Sequence, residues 1–334
     1  MKTLICNKPF EFQYITREKP MPKANEVLFQ AKAIGICGTD IHAYAGNQPF
    51  FSYPRVLGHE TSGVITEIGS SVAKFKVGQR VALVPYVSCG QCDACLSGKT
   101  NCCEKISVIG VHEDGTFSEF VAVPEQNILP VDNNVDDITA ALIEPYAISA
   151  HAVRRANITQ DDDVLVVGAG PIGLGVAAIA HADGANVVIA DTSEERLQHI
   201  QKQLPVVTLN PLLENVETKF NGKLASVVID ATGNANAMNN SVSLIRHGGR
   251  IVFVGLHKGN LEFSDPDFHK KETTMMGSRN ATFEDFEKVQ RLMAEGKLSA
   301  DMMLTDTFTY DEIGMVFTEK VTQNKSLIKG VVLC

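Results

Sequence analysis

Residues 164–180 read VLVVGAGPIGLGVAAIA, and this stretch decides the fold class. Residues 164–167 form a short β-branched apolar run of buried-strand type, and the Ala-rich residues after Gly173 continue as a helix. Between them lies Gly168-Ala169-Gly170-Pro171-Ile172-Gly173, a G-x-G-x-x-G turn whose bare backbone can approach a pyrophosphate at the helix N-terminus. The motif alone is weak. It gains weight from Asp191, which ends the next apolar run 23 residues after Gly168, where a carboxylate binds the hydroxyls of an adenosine ribose. A carboxylate there repels a 2′-phosphate, so NAD is expected over NADP, although Arg196 five residues later could serve the phosphate. Asp191 also suits a helix N-cap before Thr192 and Ser193, which is compatible with ribose binding.

Downstream, residues 187–190, 226–229 and 250–254 are further buried-parallel-strand runs separated by helical segments, which makes the middle of the chain a doubly wound α/β domain. Thr232, Val254 and Gly255 end later strands of that set, on the side where open α/β sheets bind ligands. Upstream, between residues 25 and 130, runs such as 27–33, 63–68 and 80–84 alternate with Gly, Pro and Asn breaks, so this region is mainly β. An Ala-rich helix is expected over 140–156, another over 284–296, and a closing strand over 327–333. There are no repeats or low-complexity tracts.

The length of 334 residues suits two domains, and 44% hydrophobic residues can fill both cores. The net charge of -9, from 39 acidic against 30 basic residues, argues against nucleic acid or an anionic membrane as partner, since either needs a basic field. A small-molecule substrate is expected, and an anionic one would need a local cation. No signal-peptide pattern opens the chain, and the most apolar run is broken by glycines and Pro171, so a cytoplasmic protein without a membrane span is expected. In that compartment eight cysteines do not suggest disulfides, and five of them fall between 89 and 103.

Cys89, Cys92 and Cys95 at a spacing of three, with Cys102 and Cys103 close behind, make a thiolate set for a structural zinc. Adjacent side chains seldom both reach one ion, and the spacing leaves Cys102 and Cys103 equal candidates for the fourth position. Four thiolates leave zinc no open position, so this site organises a loop.

Three segments, ICGTDIH (36–42), GHETSGVITEIGSSV (58–72) and CGQCDACLSGKTNCC (89–103), together with the glycine motif, resemble the zinc-containing medium-chain alcohol and polyol dehydrogenases over essentially the whole chain. The resemblance selects Cys103 as the fourth structural ligand. It implies a second, catalytic zinc on Cys37, His59 and Glu144 of ALIEPYAISAHA (141–152), a three-donor set whose fourth position stays open to water or substrate. Glu60 is the competing carboxylate, able to coordinate at rest and withdraw when substrate arrives. Taken singly, Cys37 reads as a buried apolar residue and His59 as a hydrogen-bonded core residue; the joint pattern gives them their role. Thr39 and His42 are implied as the relay that carries the alcohol proton outward, His42 being otherwise a surface loop residue, and His112 borders the pocket. In similar enzymes an arginine at the place of Arg196 accompanies NAD. The implied architecture is a β-rich GroES-like catalytic domain over residues 1–147 and 281–334 around a Rossmann domain over 148–280, in a homodimer or dimer of dimers.

Within that family, residues 46–60, 100–112, 243–256 and 268–282 resemble a sugar-acid subgroup, the bacterial L-galactonate 5-dehydrogenases, which make D-tagaturonate. Arg279 in GSRNAT is then the cation for the substrate carboxylate, because a guanidinium holds a carboxylate bidentately. A surface or interdomain salt bridge is its competing role. His269, Lys270 and Lys271 read as a solvated charge run. A neutral polyol or amino-alcohol dehydrogenase is the alternative within enzymes. A non-catalytic NAD- or zinc-binding descendant should have lost reactive-zinc ligands, and none is missing.

Overall fold

The computed structural model describes residues 1–48 and 51–334, so Pro49 and Phe50 of the 46–60 stretch lie outside the described residues. The chain divides into one unit of Met1–Glu144, Thr282–Ala300 and Leu304–Cys334, and a second of Pro145–Ala281 and Asp301–Met303.

In the second unit the apolar runs pair into a six-stranded parallel sheet. From one edge to the other it runs Val207–Leu209, Asn186–Ala190, Asp163–Val167, Ala225–Asp230, Ile245–Phe253 and Thr274–Gly277. In chain order this is 3-2-1-4-5-6, the doubly wound arrangement. Leu165, Val188, Val228 and Ile251 pack with Phe220 beneath the helices, which is why these strands read as unbroken apolar runs. Because all six strands run the same way, Gly168, Asp191, Thr232, Gly255 and Arg279 all follow strand C-termini at one edge of the sheet.

Two strands of this sheet, Val207–Leu209 and Thr274–Gly277, are too short to stand out in the sequence. The expected charge run is also corrected. Residues 265–270 form a short helix, and Lys271 is not simply solvated: its Nζ donates to the carbonyls of Val242 (2.7 Å), Ser243 (3.3 Å) and Ile245 (2.8 Å). A lysine there satisfies carbonyls at the end of the helix Ala235–Leu244 and complements its dipole.

The first unit is mainly β. Its larger sheet runs Ile128–Pro130, Arg80–Leu83, Glu60–Ile68, Glu26–Ile36, Lys329–Leu333 and Leu304–Thr309, with Phe120–Pro124 also paired to Glu26–Ile36. The central strand Glu26–Ile36 is buried almost throughout. Leu4, Ile34, Leu57, Phe117, Phe317 and Val332 make one core, and Val27, Phe29, Ile65, Val81 and Val121 another. The expected helix over 140–156 is instead two, Asp137–Ala141 and Ile143–Arg155. Pro145 explains the break: it has no N–H for the carbonyl of Ala141, but is tolerated in the first turn of a new helix. Among the described residues no helix is long and apolar enough to cross a membrane.

Candidate active site

Sheet register assembles the site at one end of the larger sheet of the first unit. Gly35 pairs with Glu60, and Ile36 pairs with Gly330. Cys37 therefore leaves its strand beside the point where His59 enters the next one and where Lys329 opens the last. Cys37 then caps the helix Gly38–Tyr44: the Thr39 N–H donates to its Sγ at 3.4 Å, and its own N–H donates to Asp40 Oδ2 at 2.9 Å, a reciprocal capping box. Asp40 is buried and accepts a second bond from the Gly58 N–H at 3.0 Å, which ties the cysteine segment to the histidine segment. His59 Nδ1 lies 3.8 Å from Asp40 Oδ1, beyond hydrogen-bond distance, and this buried nitrogen has no hydrogen-bond partner among the described residues.

Donor atoms of Cys37, His59 and Glu60 lie within 4.8 Å of one another. A side chain at Gly35 would collide with the Glu60 carboxylate, so glycine provides the room that this group occupies. Glu144 is outside that donor set. Its Oε1 accepts from the Tyr86 hydroxyl, while its buried Oε2 has no partner. Lys329 Nζ donates to both Glu60 oxygens, at 2.7 and 2.9 Å, and to the Ile36 carbonyl at 3.1 Å.

Burial governs the acidic groups, and neighbouring charges govern the basic ones. Burial pushes the Glu144 carboxyl up to about 7, against the pull of His59, and raises Asp40 and Tyr86 as well. For His59 and Lys329 burial acts to lower the value, yet the negative groups around them win: Asp40 and Cys37 raise His59, and Glu60 raises Lys329. Three buried carboxyl groups and a thiol thus surround one lysine and one imidazole. Such a surplus of acidic groups, with an unpartnered carboxylate oxygen, suits a divalent cation held by thiolate, imidazole and carboxylate.

The second cluster is local in sequence. Cys89, Cys92, Cys95 and Cys103 bring their sulfurs within 4.8 Å of one another, whereas Cys102 is exposed and outside the set. The N–H groups of Cys89 and Lys105 donate to Cys103 Sγ at 3.3 and 3.4 Å. Backbone N–H groups of Gln91 and Cys92 bring the Cys89 thiol down to about 6, while burial pushes Cys95 up to about 12. Sulfurs this close resist ionising together unless a cation sits among them, so the set fits a closed, four-thiolate metal site.

In the second unit the glycine turn is shaped for close backbone approach. The helix Pro171–Ala182 starts from Gly170 with proline in its first turn, and a side chain at Gly173 would strike the Gly168 carbonyl. Ile172 accepts at its carbonyl from Ser149 Oγ at 3.0 Å. Asp191 Oδ1 accepts from the Ser193 N–H at 2.8 Å, and Arg196 Nη1 stands 3.9 Å from Oδ2. The helix N-cap is Ser193, which accepts from the Arg196 N–H, so the N-cap role considered for Asp191 is corrected. Thr232 donates through N–H and hydroxyl to Asp230 Oδ1 at 2.8 and 2.7 Å, and Val254 and Gly255 donate to the Asp230 carbonyl at 2.9 and 3.1 Å.

Thr39 and His42 sit three apart on the helix Gly38–Tyr44, hence on one face, with His42 exposed. His112 Nδ1 accepts from the Val108 N–H at 3.0 Å, a turn-forming contact. Arg279 is exposed and follows the strand Thr274–Gly277. Sequence reasoning missed Asp40, Tyr86 and Lys329. Asp40 was detectable as the acid three residues after Cys37, and Lys329 as a charge inside an apolar strand, whereas nothing local marked Tyr86.

Residues 23–133 match the alcohol dehydrogenase GroES-like domain family, and residues 171–295 match the zinc-binding dehydrogenase family. The chain is 61% identical to the L-galactonate-5-dehydrogenase of Escherichia coli K12 over 336 residues, covering 99% of this chain and 98% of that protein. An alcohol dehydrogenase from E. coli CFT073, crystallised with NADH, matches with a TM-score of 0.93 and 34% identity over 100% of this chain and 99% of that one. A zinc-binding dehydrogenase from Sinorhizobium meliloti 1021 bound to NADP matches with a TM-score of 0.93 and 27% identity, covering 100% of this chain and 99% of that one.

Proposed function

This chain belongs to the zinc-binding alcohol dehydrogenases, as an oxidoreductase acting on CH–OH groups, and from that premise we propose that it oxidises L-galactonate to D-tagaturonate with NAD. The observation that carries the choice of substrate is the 61% identity, spread over nearly the full chain, to a dehydrogenase of that specificity.

Cys37, His59 and Glu60 would hold the catalytic zinc at rest, with Glu144 as the carboxylate beside it; Cys89, Cys92, Cys95 and Cys103 would hold the structural one. When bound, zinc polarises the substrate hydroxyl as a Lewis acid, and the nicotinamide takes up hydride from the carbinol carbon. Thr39 accepts the hydroxyl proton and His42 passes it toward solvent. Asp40 places its negative charge 3.8 Å from the imidazole of His59 and favours the charge of whatever cation that ring helps to hold. The Gly168–Gly173 turn and the helix behind it bind the pyrophosphate, Asp191 binds the ribose diol, and Thr232, Val254 and Gly255 border the cofactor at the same sheet edge. Arg279 grips the substrate carboxylate with its guanidinium fork.

A homodimer or dimer of dimers fits the strand Thr274–Gly277, whose outer edge is unpaired among the described residues. Eight cysteines outside any disulfide, five of them assigned to metal, fit a reducing cytoplasm. The test of the reaction is product identity: incubation of L-galactonate with NAD should yield the 5-keto acid, and oxidation at any other carbon would contradict the proposal.

A further inference from the structure

Asp230 ends a central strand of the parallel sheet, is fully buried, and carries an oxygen, Oδ2, with no hydrogen-bond partner among the described residues. Burial raises its carboxyl above the ordinary aspartate value, against the bonds from Thr232. An apolar residue would fill this place without that desolvation, so the carboxylate is explained by what it holds.

It holds two turns at the sheet edge that carries the glycine motif. Its Oδ1 accepts from the N–H and hydroxyl of Thr232, and its main-chain carbonyl accepts from Val254 and Gly255, so one residue ties the turn after its own strand to the turn after the next. The Thr232 hydroxyl donates inward to Asp230 and accepts from the Asn234 N–H at 3.0 Å, which fixes the rotamer of a side chain that is otherwise exposed. That rotamer puts the Thr232 methyl against the first glycine of the motif: a Cβ at Gly168 would lie 2.9 Å from Thr232 Cγ2. Gly255 is packed as closely, since a Cβ there would collide with the Gly233 nitrogen. Three backbone turns thus meet without slack around Thr232 and Gly233.

We propose that Asp230 is a positioning residue for the dinucleotide: through the Thr232 hydroxyl it fixes the methyl that backs the Gly168–Gly173 turn, and so holds that turn in the shape that receives the pyrophosphate. Asp230, being fully buried, acts through Thr232 and not by touching the ligand. Without the carboxylate the Thr232 hydroxyl is free to turn outward and the methyl leaves Gly168, a consequence that rests on reading the second unit as the one that binds NAD.

The test measures binding to the full-length, zinc-loaded protein, of NADH by its fluorescence and of ADP-ribose, which keeps the pyrophosphate and lacks the nicotinamide, by calorimetry. Asp230→Ala should raise the Kd of both ligands by roughly tenfold or more, and Thr232→Val, which replaces the hydroxyl by a methyl, by a similar factor. Asp230→Asn, which keeps an acceptor for Thr232, should stay within about threefold of wild type. Asp230→Ala/Thr232→Val should bind within about threefold of the weaker single variant, because both changes break the same link. A residue that only stabilised the fold would lower the melting temperature and leave the Kd of the folded protein unmoved. Wild-type affinity in Asp230→Ala, a double variant whose two losses multiply, or a loss confined to NADH with ADP-ribose unchanged overturns the proposal. If Asp230→Ala does not fold, Thr232→Val is held to the same criteria for the two ligands. A wild type that binds neither NADH nor ADP-ribose overturns the cofactor reading itself and is thereby distinguished from a failure of the Asp230 role alone.

Discussion

The main-chain N–H of Ala169 donates to Asp191 Oδ2 at 2.7 Å, so the acid assigned to the ribose also pins the glycine-rich turn. Replacing Asp191 therefore removes a charge opposed to a 2′-phosphate and loosens the pyrophosphate turn together. A charge-assisted hydrogen bond is worth about 1.5–3 kcal/mol, so Asp191→Ala should lower kcat/KM for NAD by roughly ten- to a hundredfold. NADP should lose much less, since Arg196 then stands without its acid. Kinetics with both cofactors check this, and equal efficiency of the wild type with NAD and NADP would show that Arg196 outweighs the carboxylate.

The two donor clusters should separate by mutation. Wild-type protein should hold two zinc ions per chain by elemental analysis. Cys37→Ala should retain one, lose turnover and keep a cooperative thermal transition. Cys92→Ser should lower the melting temperature, because Cys92 closes a loop with little apolar packing of its own. One zinc in fully loaded wild-type protein would contradict the assignment.

Asp162 gives a pH signature that does not involve the metal sites. Burial acts to raise its carboxyl, but bonds from Ser226 Oγ at 2.7 Å and the Thr159 N–H at 3.0 Å, with Arg250 Nη2 at 2.8 Å, outweigh burial and hold it below the usual range. A depressed folded-state value means that the unfolded chain binds the proton more tightly. The stabilisation is complete above the ordinary aspartate value near 3.9 and is lost as pH falls through the lower folded value. Asp162→Asn should cost about 1–3 kcal/mol in urea unfolding at pH 7. The gap from wild type should narrow at acid pH, and an equal gap at pH 7 and below pH 3 would rule this linkage out.

The proton relay predicts a pH-dependent defect. His42→Ala should reduce kcat by roughly a hundredfold if the imidazole acts as general base, with partial recovery at alkaline pH where hydroxide replaces it. A pH profile parallel to that of the wild type would return His42 to a surface role.

Features encoded locally were legible in the sequence. The glycine turn with Asp191, the four-cysteine loop and the apolar parallel strands depend on neighbours close in the chain, and the fold class and the zinc and nicotinamide cofactors follow from them. What escaped depends on register between distant strands. Lys329 reaches Glu60 only because the last strand pairs with Glu26–Ile36, and Tyr86 reaches Glu144 across 58 positions. The same register brings donor atoms of Cys37, His59 and Glu60 within 4.8 Å of one another, with Glu144 outside that set. Lys271 looked like part of a charged surface run because its carbonyl partners lie more than two dozen residues upstream.

The central claim, oxidation of a sugar acid, is tested most directly by the initial rate of NADH formation from L-galactonate and from sorbitol, measured on wild type and on Arg279→Ala. Wild type should prefer the acid. Loss of a charge-assisted contact worth about 1.5–3 kcal/mol should lower kcat/KM for L-galactonate by roughly ten- to a hundredfold in the variant, and sorbitol should be nearly unaffected. Good wild-type turnover of sorbitol with none of L-galactonate would contradict the account of the substrate, and equal losses on both in Arg279→Ala would contradict the role of the arginine.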